Sequence, residues 1–268
     1  MAKRFNGVTL ERQQGCYEKH AASVDTDSYE PMWLVTDIKS WGTKAKVKHF
    51  CDFNRAVHVL SQNEMLMFML IAWNKQIVQS YEQYALPLED SLYIANELGV
   101  KHPVYPNSKG VPIQQTLDFF CYEENGGRIG YAVKQEDELF KTRSVEKLAI
   151  QEAWCEINDY KFELVTSATL KNENLVNLER IYRHRVIPAP LELACNAWRQ
   201  NFLSLLSNNR HERLADVLEE SALLSGLPYQ TAARFFYHCL WHLKLDFNWS
   251  CPLRLELSAE QLGVFANE

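Results

Sequence analysis

The chain has 268 residues, of which 47% are hydrophobic, 23% charged and 12% aromatic, with only 10 Gly and 9 Pro; that usage excludes a collagenous, low-complexity or disordered polymer. At about 150 residues per domain the length favours two domains. A formal net charge of −6, from 28 basic and 34 acidic residues, argues against a free-standing nonspecific nucleic-acid binder, whose affinity comes from neutralising phosphates.

The longest apolar run, Met65 to Trp73, is nine residues, against the roughly 20 needed to span a membrane. The first residues lack the apolar core of a secretory signal, so a cytoplasmic protein with no membrane association is expected. Seven widely spaced cysteines with no C-x-x-C pair read as reduced thiols rather than a disulfide framework.

In chain order, residues 1 to 38 mix charge, Ser, Asp and Gln without a period, and MWLV at 32 to 35 reads as a short strand. Residues 39 to 55 carry Lys39, Lys44, Lys46, Lys48 and Arg55 against Asp52, a local charge of +4. Lys44, Lys46 and Lys48 alternate, so an extended strand sets them on one face. That face serves either as a solvated edge that resists aggregation or as a contact for DNA phosphates.

Ser61 to Asn74 reads as a buried helix capped by Ser61, Ile77 to Tyr84 as a strand, Pro87 to Asp90 as a helix opening, and residues 100 to 110 as loop. Gln115 to Tyr122 and Ile129 to Lys134 read as strands joined through EENGGR, a hairpin signal. A helix from Arg143 to Ile157 and a strand from Tyr160 to Thr166 follow. Residues 172 to 183, 188 to 207, 211 to 225 and 229 to 243 read as helices, and LKLDF at 243 to 247 with LRLEL at 253 to 257 as a small hairpin. Helix, turn, helix, hairpin is the order of a winged helix, and the change of character puts a domain boundary near residue 170.

Placing Gly126 at the centre of the first hairpin pairs positions that sum to 252, which sets Asp118 across from Lys134 and puts Thr116, Phe120 and Ala132 on the same face. An exposed cross-strand ion pair would be worth under about 1 kcal/mol. Here the neighbours Leu117, Phe119, Tyr131 and Val133 are apolar. Burying an unassisted pair among them costs more than it returns, which points to a metal or phosphate completing it. Glu64 stands three residues after Ser61, the spacing of a capping box; it reads either as that cap or as a carboxylate facing the neighbouring sheet, within reach of a cation held by Asp118. Lys101 and His102 precede Pro103 in a turn-forming loop and are read either as phosphate contacts or as structural. His238 and His242 have the spacing of a zinc-binding pair, but Phe235, Phe236, Leu240 and Trp241 around them favour a core helix.

An Asp, a hairpin and a Lys, preceded by a helix carrying Glu, form the pattern of restriction-endonuclease-like nucleases. The segments 55 to 74, 81 to 104, TLDFFCY at 116 to 122, AVK at 132 to 134 and RSVEKLAIQEAW at 143 to 154 together resemble the TnsA family, the endonuclease subunits of heteromeric TnsABC-type transposases. The resemblance implies an α/β protein with a restriction-endonuclease-like nuclease domain over 59 to 169, an N-terminal arm and basic segment (1 to 58) packing on it, and a mainly helical, winged-helix-type partner or DNA-binding domain over 170 to 268. It implies a Mg²⁺-dependent DNA endonuclease that nicks the 5′ ends of a transposon, working with a TnsB-like transposase and a TnsC-like ATPase regulator. Carried onto this sequence, the site comprises Glu64 and Asp118 as metal ligands, the Val133 carbonyl as a further ligand, Lys134 as the catalytic lysine and Gln151 as an outer orienting group. One or two Mg²⁺ ions, with Mn²⁺ as a substitute, are implied. Ala132 replaces a family Gln, which removes one side-chain ligand for a second ion. The alternatives are a nuclease-inactive assembly module and a free-standing Mg²⁺-dependent nuclease.

Overall fold

The computed structural model describes residues 9–37, 43–51, 55–106, 108 and 110–267, so Lys39 and Asp52 lie outside the described residues. The chain divides into two units, Met1–Leu170 and Lys171–Glu268.

The first unit opens with helix α1 (Leu10–Ser23), capped by the Thr9 hydroxyl, which accepts the Arg12 N–H at 3.3 Å. Polar anchors hold this helix. Gln13 Nε2 donates to the Pro112 carbonyl at 3.0 Å and its Oε1 accepts the Gln114 N–H at 3.2 Å. His20 Nε2 accepts the Ala85 N–H at 3.1 Å, which leaves Nδ1–H to donate to the Glu30 carbonyl at 2.8 Å. Residues 32 to 35 are not the expected strand: they bend, burying Met32 and Trp33 against Ala85. Side-chain burial rather than ladder pairing fixes them.

Strands β1 (Ala45–Lys48) and β2 (Ala56–Val59) make a separate antiparallel pair. Lys46 and Lys48 are exposed on it, while Lys44, just before β1, is partly buried and donates to the Val35 carbonyl at 3.1 Å. Helix α2 (Gln62–Trp73) follows, and its Phe68 stacks on Phe119 with ring centres 6.2 Å apart.

The main sheet has the order β3 (Ile77–Ala85), β4 (Thr116–Glu123), β5 (Arg128–Lys134), β6 (Lys161–Thr166). The first three strands are antiparallel; β6 runs parallel to β5, which requires a crossover. That crossover is α4 (Thr142–Ile157), which shares a core with α3 (Leu88–Glu97) over Tyr81, Leu117, Phe120, Ile150 and Trp154. A Cβ on Gly130 would stand 2.8 Å from Leu117 Cδ1 and 2.9 Å from Cys155 Sγ, so the bare backbone there is what lets α4 lie close on β5. A single helical turn, α5 (Ser167–Leu170), ends the unit.

In the second unit α6 (Glu173–Tyr182), α7 (Glu192–Asn208), α8 (Leu214–Leu224) and α9 (Tyr229–Trp241) bury Trp198, Phe202, Phe235 and Phe236 completely. The expected hairpin between 243–247 and 253–257 does not form. Strand β7 (Leu245–Asp246) pairs instead with β8 (Phe265–Ala266), beyond the short helix α10 (Ala259–Leu262). The backbone of 253–257 is engaged elsewhere. The Asn177 side chain takes the Leu253 N–H at 2.9 Å, and the Leu255 and Leu257 carbonyls accept the N–H groups of Ala215 and Leu214 at 2.8 and 2.9 Å. His238 Nδ1 lies 3.2 Å from the His184 carbonyl and His242 Nε2 2.9 Å from that of Arg185. Burial, then His242, holds the pKa of His238 down at about 4. Among the described residues no helix is long and apolar enough to cross a membrane.

Candidate active site

The hairpin places Asp118 and Lys134 together, by a different register from the one that sequence symmetry suggests. The observed pairs, Phe119 with Tyr131 through Tyr122 with Arg128, sum to 250. The loop comprises residues 124 to 126 and is centred on Asn125, closed by the Glu123 N–H donating to the Gly127 carbonyl at 2.8 Å, with Gly126 left-handed at φ +86. Continuing that register puts Ala132 opposite Asp118 and Lys134 on the diagonal, a distance that a long side chain bridges. Lys134 Nζ lies 2.8 Å from Asp118 Oδ2. The same oxygen accepts the Val133 N–H at 2.6 Å, and Lys134 Nζ also donates to the Val133 carbonyl at 3.1 Å. The pair is partly open, at 12% exposure for the Asp118 side chain and 21% for that of Lys134.

Glu64 performs its capping role in modified form. The Ser61 hydroxyl accepts the Glu64 N–H at 3.1 Å and donates to Oε1 at 3.0 Å, while Oε2 accepts the N–H of Leu60, one residue earlier than the Ser61 amide expected, at 2.8 Å. Burial first, then the negative charge of Asp118, raises the Glu64 pKa to about 7, against the pull of these hydrogen bonds and of Lys134. The capping carboxylate therefore also feels the charge of Asp118 on the hairpin. Burial works against the Lys134 charge, but the Asp118 carboxylate, its hydrogen bond and Glu64 together hold that pKa above the ordinary lysine value.

Gln83 joins the two parts, and no sequence pattern marks it. It lies between the pairs Glu82–Phe119 and Tyr84–Leu117, in the slot opposite Asp118, with a left-handed φ of +50. Such a backbone costs about 1–3 kcal/mol in a residue with a side chain. Its Nε2 donates to Glu64 Oε2 at 3.3 Å, and its Oε1 accepts the Thr116 hydroxyl at 3.4 Å.

A cavity of about 600 Å³ opens beside this cluster, lined among others by Asp118, Lys134, Gln83 and Gln151. Glu64 is hydrogen-bonded to the lining residue Gln83 but does not itself line the cavity, and neither do Lys44, Lys46, Lys48, Lys101 and His102. His102 instead fastens its loop, Nε2 3.1 Å from the Ser91 hydroxyl and Nδ1 3.0 Å from the Pro103 carbonyl, and burial lowers its pKa. The Lys101 carbonyl accepts Arg143 Nη1 at 2.7 Å. Gln151 Nε2 donates to the Thr116 carbonyl at 2.6 Å, and its Oε1, though buried, has no hydrogen-bond partner among the described residues.

The atoms that could hold a cation here are hard oxygens: the Glu64 and Asp118 carboxylates, the Val133 carbonyl and the unpartnered Gln151 Oε1. That set suits Mg²⁺ or Mn²⁺ and lacks the thiolate or imidazole that would favour zinc. Burial first and the charge of Asp118 second disfavour the Glu64 carboxylate, and a divalent ion would relieve both. Ala132 is fully buried and contributes only a methyl group. Among the described residues no cluster of three or more His, Cys, Asp or Glu stands ready for a metal, so backbone or amide oxygens would have to complete the sphere.

Residues 74–167 match the family described as TnsA-like endonuclease N terminal. The transposon Tn7 transposition protein TnsA of Escherichia coli is 25% identical over 167 residues, which cover 62% of this chain and 60% of that protein. The family match contains the whole main sheet, Asp118, Val133, Lys134 and Gln151; Glu64 lies ahead of it. These two matches support a TnsA-family assignment for the domain that holds the site.

Proposed function

We propose that this chain is a Mg²⁺-dependent DNA endonuclease of restriction-endonuclease-like fold that nicks the 5′ ends of a transposon in the cytoplasm. It would act with a TnsB-like transposase and a TnsC-like ATPase in cut-and-paste movement. The observation that carries the reading is the convergence on Asp118: one carboxylate oxygen bonded to Lys134 Nζ at 2.8 Å and to the Val133 N–H at 2.6 Å, with Glu64 close enough to be repelled by it.

Glu64 and Asp118 would hold one Mg²⁺, with the Val133 carbonyl and Gln151 Oε1 as neutral ligands or orienting groups; Ala132 removes the side chain a second ion would need. Bound Mg²⁺ supplies charge neutralisation at the phosphate and an acidified water. Lys134 acts as a fixed positive charge beside the developing phosphorane rather than as a base, because Asp118 and Glu64 keep it protonated. Gln83 holds Glu64 against the sheet, so the ligand's position follows the strand. The second unit, with two helices and a turn before a short strand pair, would be the winged-helix-type surface for the ATPase or for DNA. Its wing would be β7 and β8.

The test is assembly with the transposase partner on labelled transposon ends with Mg²⁺. Asp118→Ala should abolish 5′-strand nicking while the complex still forms; equal nicking by variant and wild type removes the assigned site. Ala132 favours one alternative, a nuclease-inactive assembly module, which would show complex formation without nicking by the wild type. Vigorous cutting without any partner would identify a free-standing nuclease.

A further inference from the structure

Helix α4 turns Ser144, Lys147 and Gln151 toward the cavity that Asp118 and Lys134 line; their spacing of three and four residues makes one helix face. Lys147 differs from Lys134, the other cation there. Lys134 is neutralised by Asp118 at 2.8 Å. Lys147 is partly buried, yet its ammonium has neither hydrogen bond nor ion pair among the described residues. Burial first, then the positive charges of Lys134 and Arg143, lower its pKa, with only Glu138 opposing. A partly desolvated cation set beside another cation costs stability unless an anion joins it. Around the same cavity Gln114 Oε1, Gln115 Nε2 and Gln151 Oε1 are buried without partners among the described residues, and native proteins leave few such atoms unsatisfied. A volume of about 600 Å³ lies within the roughly 300–1,000 Å³ range of small-ligand sites.

We infer that Lys147 forms a second phosphate subsite, taking the backbone phosphodiester next to the one presented to Asp118 and Lys134. This rests on reading the cleft as a DNA-cutting site. The subsite carries no sequence information; it sets register. Two anchored phosphates fix the direction of the strand and therefore which phosphodiester lies over Asp118, with the Ser144 hydroxyl one turn away as a neutral donor. The bond is a charge-assisted one between ammonium and phosphate oxygen.

Transposon ends carrying a single methylphosphonate, which removes one backbone charge, test the assignment in the complete complex with Mg²⁺. Neutralising one phosphate adjacent to the scissile bond should slow wild-type nicking by roughly tenfold to a hundredfold. Lys147→Met should nick unmodified ends slower by a similar factor and be indifferent to that methylphosphonate, while Lys147→Arg should keep most of the wild-type rate. Wild-type nicking by Lys147→Met, or further loss in that variant at the same neutralised phosphate, would overturn the subsite. A second readout needs no cutting. Thymidine 3′,5′-bisphosphate should raise the melting temperature of the wild type and not that of Lys147→Met. Stabilisation of both equally removes the subsite, and an equal rise with inorganic phosphate alone marks a free-anion site instead of a DNA site. Bisphosphate discrimination without nicking in any mixture would keep the subsite and discard the nuclease.

Discussion

Two ion pairs lie one strand apart in the main sheet and are built to opposite ends. Glu82 on β3 pairs with Arg55 at 2.5 Å, with side chains only 1% and 9% exposed. Glu82 also accepts the His58 N–H at 3.0 Å, and Arg55 donates to the Ser80 carbonyl at 2.8 Å and lies 4.9 Å over the Tyr29 ring. Burial raises the Glu82 pKa, and Arg55 opposes it. Asp118 and Lys134, by contrast, open on a cavity and have a second carboxylate, Glu64, and a second ammonium, Lys147, as neighbours. A structural ion pair is given partners until its charges balance; a working site keeps like charges close and unbalanced, so that a cation and a phosphate have something to relieve.

The sharpest break of that comparison is Glu82→Gln, which strands Arg55 in the interior. It should lower unfolding free energy by about 3–5 kcal/mol, measurable by urea titration, whereas Asp118→Asn should cost much less because Lys134 retains access to water. Next comes Lys134→Met, which should slow 5′ nicking by roughly a hundredfold to a thousandfold with little change in melting temperature. A stability loss as large as that of Glu82→Gln would make Lys134 a structural residue.

Glu64 sharpens the comparison through pH. Its folded carboxyl ionises near pH 7, whereas an unfolded glutamate ionises near about 4.3. The folded state therefore binds the proton more tightly in between, and the Glu64 contribution to stability is lost as pH rises through that window. Glu64→Gln should be more stable than the wild type at pH 8 and not at pH 4. Mg²⁺ should raise the wild-type melting temperature more at pH 8 than at pH 5, and leave that of Glu64→Gln nearly unmoved. The smallest effect expected is that of Gly130→Ala, about 1–3 kcal/mol, since its methyl would meet Leu117 and Cys155 at under 3 Å. Partial loss of nicking along with stability would show that α4 must lie close on β5 for Gln151 and Lys147 to reach the cleft.

Much of the site could be read in the chain because its signals are local. Ser61 and Glu64 have capping spacing, and alternation brings Asp118 and Lys134 to one face. The register was legible only within two residues, because the segment EENGGR suits a loop centred on Asn125 as well as one centred on Gly126; the reach of the lysine brings it to Asp118 in either register. Gln83 could not be read at all, since a left-handed backbone at a residue other than glycine is imposed by its surroundings. Helix α1 carries no periodic signal because Gln13 and His20, rather than an apolar stripe, hold it. The alternation at 253 to 257 does not yield a strand because Asn177, far off in sequence, takes the Leu253 N–H.

The sequence by itself determined the elements of the main sheet, the break in character near residue 170 and the residue types of the cluster, because period, caps and turns act over a few neighbours. Only the tertiary structure decided which charges stay unbalanced. Whether a carboxylate is relieved, as Glu82 is by Arg55, or repelled, as Glu64 is by Asp118, depends on burial and on groups brought together from distant parts of the chain.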